Sequence, residues 1–238
     1  MAKPNWANFR GYWNLDEAGG SNAIDSTANG NDLVETSGTI ESLEGGRDFE
    51  LTESEYFKIN DNASLSFADE ELTFGVWVKL ESQAGSQALI GKRDTTNSRE
   101  YRLEYYDTAD RYRLRISSDG EIVGNTNLQA NSYGAVPATT KAFVLAWHDP
   151  VANKIYIQVN NGVVDEVAHA GGIFNGTAPF SLGAFFAGGA AANYFDGIEW
   201  CAFVYAGLMT AAERTWMYNA GVPRKWSEIY FVPRAGMI

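Results

Sequence analysis

Apolar and polar side chains alternate with a period of two through most of the chain, which predicts strands rather than helices. The clearest run covers residues 72–80, where Leu72, Phe74, Val76, Val78 and Leu80 alternate with Thr73, Gly75, Trp77 and Lys79. Residues 100–106 and 111–117 follow the same rule. Tyr101, Leu103 and Tyr105 line one face of the first run, and Tyr112, Leu114 and Ile116 line one face of the second. Their opposite faces carry Glu100, Arg102 and Glu104, and Arg111, Arg113 and Arg115. Joined by the turn at 107–110, the two runs predict a hairpin with a core face and an ion-paired, solvated face. Further runs at 87–93, 143–148, 154–159, 163–167, 179–184 and 195–206 bring the count to about ten strands or more. Asn160, Asn161 and Gly162 supply the left-handed positions of a tight hairpin turn. Turn signals at this spacing predict an antiparallel sandwich or barrel.

One segment has the helical period. Thr210 and Glu213 form a capping box, the helix runs through Trp216 and Met217 to Asn219, and Gly221 and Pro223 stop it. With no internal repeat or linker, the reading is one domain over residues 9–222, an N-terminal tail at 1–8 and a C-terminal tail at 223–238.

Composition narrows the function classes. The hydrophobic fraction of 45% excludes a disordered chain. A net charge of −12 argues against nucleic acid as a partner, because phosphates would be repelled, and no basic block is visible in the sequence. The single cysteine, Cys201, rules out an intrachain disulfide. The opening MAKPNWANFR lacks the apolar run of a signal peptide, and no stretch reaches the ~20 apolar residues of a membrane helix. The expectation is a protein without membrane insertion.

The segment GYWNLDEAGGSNAIDSTANGNDL (11–33) resembles the opening of a laminin G-like module of the concanavalin A-like lectin/glucanase group. LTFGVWVKL (72–80), LIGKRD (89–94), KIYIQVNNGVV (154–164) and FDG (195–197) leading to LMTAAERTWMYNAG (208–221) are similar to family signatures in the same order. The resemblance implies an all-β fold, a two-sheet antiparallel jelly-roll sandwich of concanavalin A type with one short C-terminal helix.

The resemblance also implies a calcium site on the loop DSTANGND (25–32), whose hard oxygens suit that ion. Asp25, Asn29, the Gly30 carbonyl and Asn31 would be its ligands, with Asp196 or Glu199 arriving from the strand after FDG. The chain departs from the family pattern there, because Trp200 occupies the acidic position and Glu199 lies one residue away, which on a strand is the other face. The competing reading of the same loop is an Asx turn at Asp25 followed by an Asn29-Gly30 turn.

Glycosidases of this fold pair two carboxylates on one strand face, and the nearest match is Glu100 with Glu104. Arg102 between them and the arginines opposite would neutralise both, so the expectation is not an enzyme. His148, His169 and Cys201 read as structural. Sugar binding would use exposed aromatics, for which Tyr106, Tyr133, Tyr156 and Tyr194 are the candidates. The Gly/Ala-rich stretch 184–195 reads as a partner-contact loop or a long connection.

The preferred reading is a non-catalytic virion protein, a phage decoration, tail or fibre-associated subunit, made in the host cytoplasm and assembled with capsid or tail proteins. Surface glycans and homo-oligomerisation are further partners this reading admits. The alternative is a free-standing lectin-like module, calcium-dependent or not, and extracellular if a signal was trimmed. A glycoside hydrolase is the remote third.

Overall fold

The computed structural model describes residues 2–230; Met1 and 231–238, the end of the expected C-terminal tail, lie outside the described residues. Two sheets face each other. The eight-stranded sheet runs from Val164–Ala168 through Lys154–Val159, Ala142–Asp149, Leu72–Leu80, Gly197–Ala206 and Gly46–Phe49 to Glu41–Leu43. Phe9–Trp13 pairs with the second half of Gly197–Ala206. The nine-stranded sheet runs from Asn125–Gln129 through Arg111–Ser117, Ser98–Tyr106, Gln87–Asp94, Phe180–Leu182 and Tyr56–Ile59 to Val34–Thr36. The stretch expected as a loop is instead a small hairpin, Phe185–Ala187 with Ala190–Ala192, beside the end of Gln87–Asp94. Its turn is pinned because the Asp94 carboxylate accepts both the Gly188 and Gly189 amides, each at 2.9 Å. Pairing is antiparallel throughout except for one parallel bridge, Phe186 to Asp94.

The alternation read from the sequence places Leu72, Phe74, Val76, Val78 and Leu80 between the sheets with Tyr101, Leu103, Tyr112, Leu114, Val144, Ile157 and Val204. The other face of the eight-stranded sheet is apolar as well. Trp77, Phe143, Leu145, Trp147, Ile198 and Phe203 lie there under Trp216, Met217 and Ile229. Trp77 stacks on Phe143 at 5.1 Å and on Tyr218 at 5.7 Å. A strand covered on both faces reads as a near-continuous apolar run, as IEWCAFVYA does.

The cover comes from the C-terminal residues. The helix Ala211–Tyr218 has the expected capping box, and Asn219 ends it in the left-handed region at φ 48°. A second short helix, Trp226–Ile229, was outside the sequence expectation. Residues expected as tails therefore pack on the domain. Trp226 N–H donates to Asn14 Oδ1 at 2.9 Å, the Tyr12 hydroxyl donates to the Arg224 carbonyl at 2.6 Å, and Lys3 Nζ donates to the Glu228 carbonyl at 2.7 Å.

Candidate functional site

The loop 25–32 is knotted around one carboxylate. Asp25 Oδ1 accepts the amides of Tyr12 at 3.0 Å and Thr27 at 2.9 Å, and its Oδ2 accepts the Thr27 hydroxyl and the Asn31 amide, both at 2.9 Å. Asn31 is fully buried: its amide nitrogen donates to the Arg10 carbonyl and to Ser64, and its oxygen accepts from Asn62. Asn29 donates to the Phe9 carbonyl at 2.9 Å, and Gly30 takes φ 69° with open space where a side chain would sit. The Asx turn and the Asn-Gly turn are thus both present.

Asp196 and Glu199, the other half of the expected ligand set, make no hydrogen bond to the loop among the described residues. Asp196 Oδ1 accepts the Leu51 amide. Glu199 is fully buried with neither oxygen hydrogen-bonded, and burial pushes its pKa well above the carboxylate range. A bulge at Cys201 explains the placement: Trp200 pairs with Trp77 but Ala202 with Val76. Trp200 and Cys201 consequently both belong to the outer apolar cluster, while Glu199 is left without a partner group. Among the described residues, the acids that do gather are Asp48, Glu50 and Glu81.

The same loop forms one wall of a cleft of about 370 Å³. Ser26, Thr27, Ala28 and Asn29 face Trp6, Phe9, Trp226 and Tyr230 across it. Trp226 and Tyr230 are parallel-stacked at 5.9 Å, and Trp6 meets Tyr230 edge-on at 4.9 Å. Trp6 is 48% exposed and Tyr230 39%. A wall of hydroxyls and amides opposite an exposed aromatic corner matches the two needs of sugar recognition, hydrogen bonds to hydroxyls and an apolar platform for the ring's C–H face. The sequence reading missed these aromatics because 1–8 and 223–238 were set aside as tails. The available signal was the spacing of Trp226 and Tyr230, four apart and therefore on one face of a helical turn.

The four expected tyrosines are scattered. Tyr133 packs beside Tyr112, Tyr194 bonds the Ala191 carbonyl, and Tyr156 stacks on Trp147 at 5.0 Å. Tyr106 borders the arginine face, with the Arg113 guanidinium 3.3 Å from its ring centre.

Glu100 and Glu104 sit in separate ion pairs. Lys92 pairs with Tyr101 but Arg93 with Arg99, so a bulge leaves Glu100 without a cross-strand partner. Glu100 meets Lys92 at 3.1 Å, and that amine also reaches Asp61 and Ser66. Burial raises the Glu100 pKa to about 7, against the pull of Lys92. Glu104 is held by Arg102 at 3.0 Å and Arg113 at 2.6 Å. Burial works against its charge, yet Arg102, Arg113 and Arg115 together keep its pKa below the usual carboxylate range. The face read as solvated is in fact largely buried, with Arg99, Arg102 and Glu104 all shielded from solvent. The histidines, distant in sequence, meet edge-on at 5.6 Å. His169 lies between Thr126 and the Gly172 carbonyl, and His148 bonds the Glu70 carbonyl.

No curated protein matches the chain. Among solved structures, domain 4 of AbnA, a GH43 extracellular arabinanase from Geobacillus stearothermophilus in complex with arabinotriose, is 14% identical with a TM-score of 0.59, covering 89% of this chain and 98% of that one. The Ruminococcus gnavus IT-sialidase CBM40 bound to α2,3 sialyllactose is 16% identical with a TM-score of 0.54, covering 78% and 98%. The binding domain of Paraclostridial Mosquitocidal Protein 1 is 13% identical with a TM-score of 0.64, covering 90% of this chain and 52% of that one. These likenesses are of fold. The family described as the concanavalin A-like lectin/glucanases superfamily matches residues 51–213, and with its two facing sheets and Ala211–Tyr218 helix the chain belongs to that superfamily.

Proposed function

We propose that the protein is a non-catalytic glycan-binding domain that takes a sugar in the cleft between the 25–32 loop and Trp6, Trp226 and Tyr230. The cleft carries the reading: it joins exposed aromatic rings to hydroxyl and amide side chains in about 370 Å³. Fold neighbours in complex with arabinotriose and bound to sialyllactose support it by analogy. Its non-catalytic character is supported by the separation of Glu100 and Glu104 into different ion pairs.

The test is a glycan array followed by titration of the best ligand. Trp6→Ala and Tyr230→Ala are expected to weaken binding by about tenfold each, as loss of an aromatic platform should. An array that stays silent, or binding indifferent to both substitutions, overturns the cleft. Release of reducing sugar that stops with Glu104→Gln overturns the non-catalytic reading.

A second reading sets the same domain on a virus particle, attached to capsid or tail proteins through its terminal segments. It is favoured by the meeting of residues 2–8 with 223–230 on one side of the sandwich, where Trp6 touches Tyr230. Light scattering on the full chain tests it: assembly lost on deleting 231–238 supports it, and a monomer at all concentrations counts against it.

A further inference from the structure

The outer face of the nine-stranded sheet carries an arrangement that β-pairing alone disfavours. Arg102 lies directly across from Arg115, and Arg93 directly across from Arg99. Like charges opposed on adjacent strands are destabilising. The next row sets Glu104 between Arg113 and Ala88, so that one carboxylate serves Arg102, Arg113 and, at 3.8 Å, Arg115. The nearest carboxylate to Arg99 is Glu121, 3.7 Å away and half exposed. Asp94 beside Arg93 is already spent on the amides of Thr96, Gly188 and Gly189.

The arginines therefore carry unspent capacity. The Nε atoms of Arg93 and Arg115 are shielded from solvent and have no acceptor, which is costly for a charged donor. Burial, with the neighbouring arginines adding to it, lowers the pKa values of Arg93 and Arg115 despite the pull of Glu104. Five guanidiniums around one internal carboxylate, in a chain of net charge −12, make a local positive excess that Asp94 and Glu121 at its margin offset only in part. The adjoining edge strand adds Asn127 opposite Arg115 and Gln129 opposite Arg113, and Tyr106 lies under Arg113.

We propose that this face binds the anionic group of an acidic saccharide, a carboxylate or a sulfate ester, through the half-buried Arg93, Arg113 and Arg115, with Asn127 and Gln129 taking its hydroxyls. A guanidinium fork matches either oxyanion in a bidentate way. A saccharide fits better than a nucleic acid because the cluster is confined to one patch of a strongly acidic chain, which repels an extended phosphate backbone. The inference rests on the glycan-binding reading and adds a second, charge-selective site away from the cleft.

The experiment is calorimetric titration of the full chain with four probes: a hyaluronan hexasaccharide for carboxylate, a chondroitin sulfate hexasaccharide for sulfate, neutral cellohexaose, and an oligothymidylate. At least one acidic saccharide should bind, and which of the two binds more tightly identifies the oxyanion. Arg115→Gln and Arg113→Gln should each weaken that binding by about tenfold or more, the worth of one charge-assisted hydrogen bond. Raising salt to 0.5 M should weaken it too. Lys154→Gln, an equal charge change at an exposed pair with Glu166, should leave it unchanged. Arg115→Gln also relieves the repulsion with Arg102, so its melting temperature should hold or rise, separating lost binding from lost folding. Acidic saccharides that fail to bind while cellohexaose binds overturn this assignment and leave the cleft standing. Silence from every saccharide overturns both, and oligothymidylate binding as tightly as the saccharides overturns the choice of ligand.

Discussion

The carboxylate of Asp25 accepts the backbone N–H of Tyr12 at 3.0 Å, which joins the polar loop 25–32 to the strand Phe9–Trp13. Four donors in all converge on its two oxygens, and the side chain is buried. Removing it strands buried amides, so Asp25→Ala is expected to cost about 2–4 kcal/mol, read by urea unfolding. Because those oxygens are already engaged, the melting temperature should be the same in calcium and in excess chelator. A chelator-induced fall would show that the loop opens to take an ion.

Glu199 presents the opposite case, a buried carboxyl without any hydrogen bond. Replacing such a group with an apolar side chain of similar shape removes a desolvation cost and leaves no partner unpaired. Glu199→Met is expected to raise stability by about 1–2 kcal/mol, measured by the urea midpoint. A loss of stability would mean that an unseen partner satisfies the acid.

The buried acids also set the pH dependence. Burial raises Glu100 to about 7, and burial with help from Glu81 and Glu50 raises Asp48 to about 6. A folded pKa above the unfolded one gives stability that is complete below the ordinary carboxylate range and is lost as pH rises through the folded value. Stability should therefore fall between about pH 4 and pH 7, with Glu100 contributing on the order of 3 kcal/mol. Glu100→Gln should flatten the slope in urea unfolding across that window; an unchanged slope counts against Glu100 as its source.

Cys201 reports on the C-terminal cover. Its thiol is buried 3.2 Å from the Tyr12 hydroxyl, and burial pushes its pKa to about 11. It should be inert to a thiol reagent in the full chain at pH 8 and become reactive when residues 223–238 are deleted. Equal rates in the two chains would show that the segment does not shield the outer apolar face.

The period-two alternation was enough to derive an antiparallel sandwich or barrel, because a strand that buries one face must hide every second residue, and the family resemblance chose the two-sheet sandwich. Thr210 and Glu213 likewise announced the helix Ala211–Tyr218, since a capping box is a contact between residues three apart. Local chemistry also specified the turns around Asp25 and Gly30. What the chain could not announce was anything made across it. The bulges at Cys201 and Glu100 reverse which face a carboxylate sees, and only pairing with the strands of Trp77 and Lys92 creates them. Arg102 and Arg115 look like members of an ion-paired face until register sets them opposite each other. Trp6 and Tyr230, 224 positions apart in the sequence, become one aromatic corner only when the chain folds them together. Periodicity and capping are read within about four residues, whereas register, bulges and the packing of residues 2–8 and 223–230 depend on contacts between residues far apart in the chain.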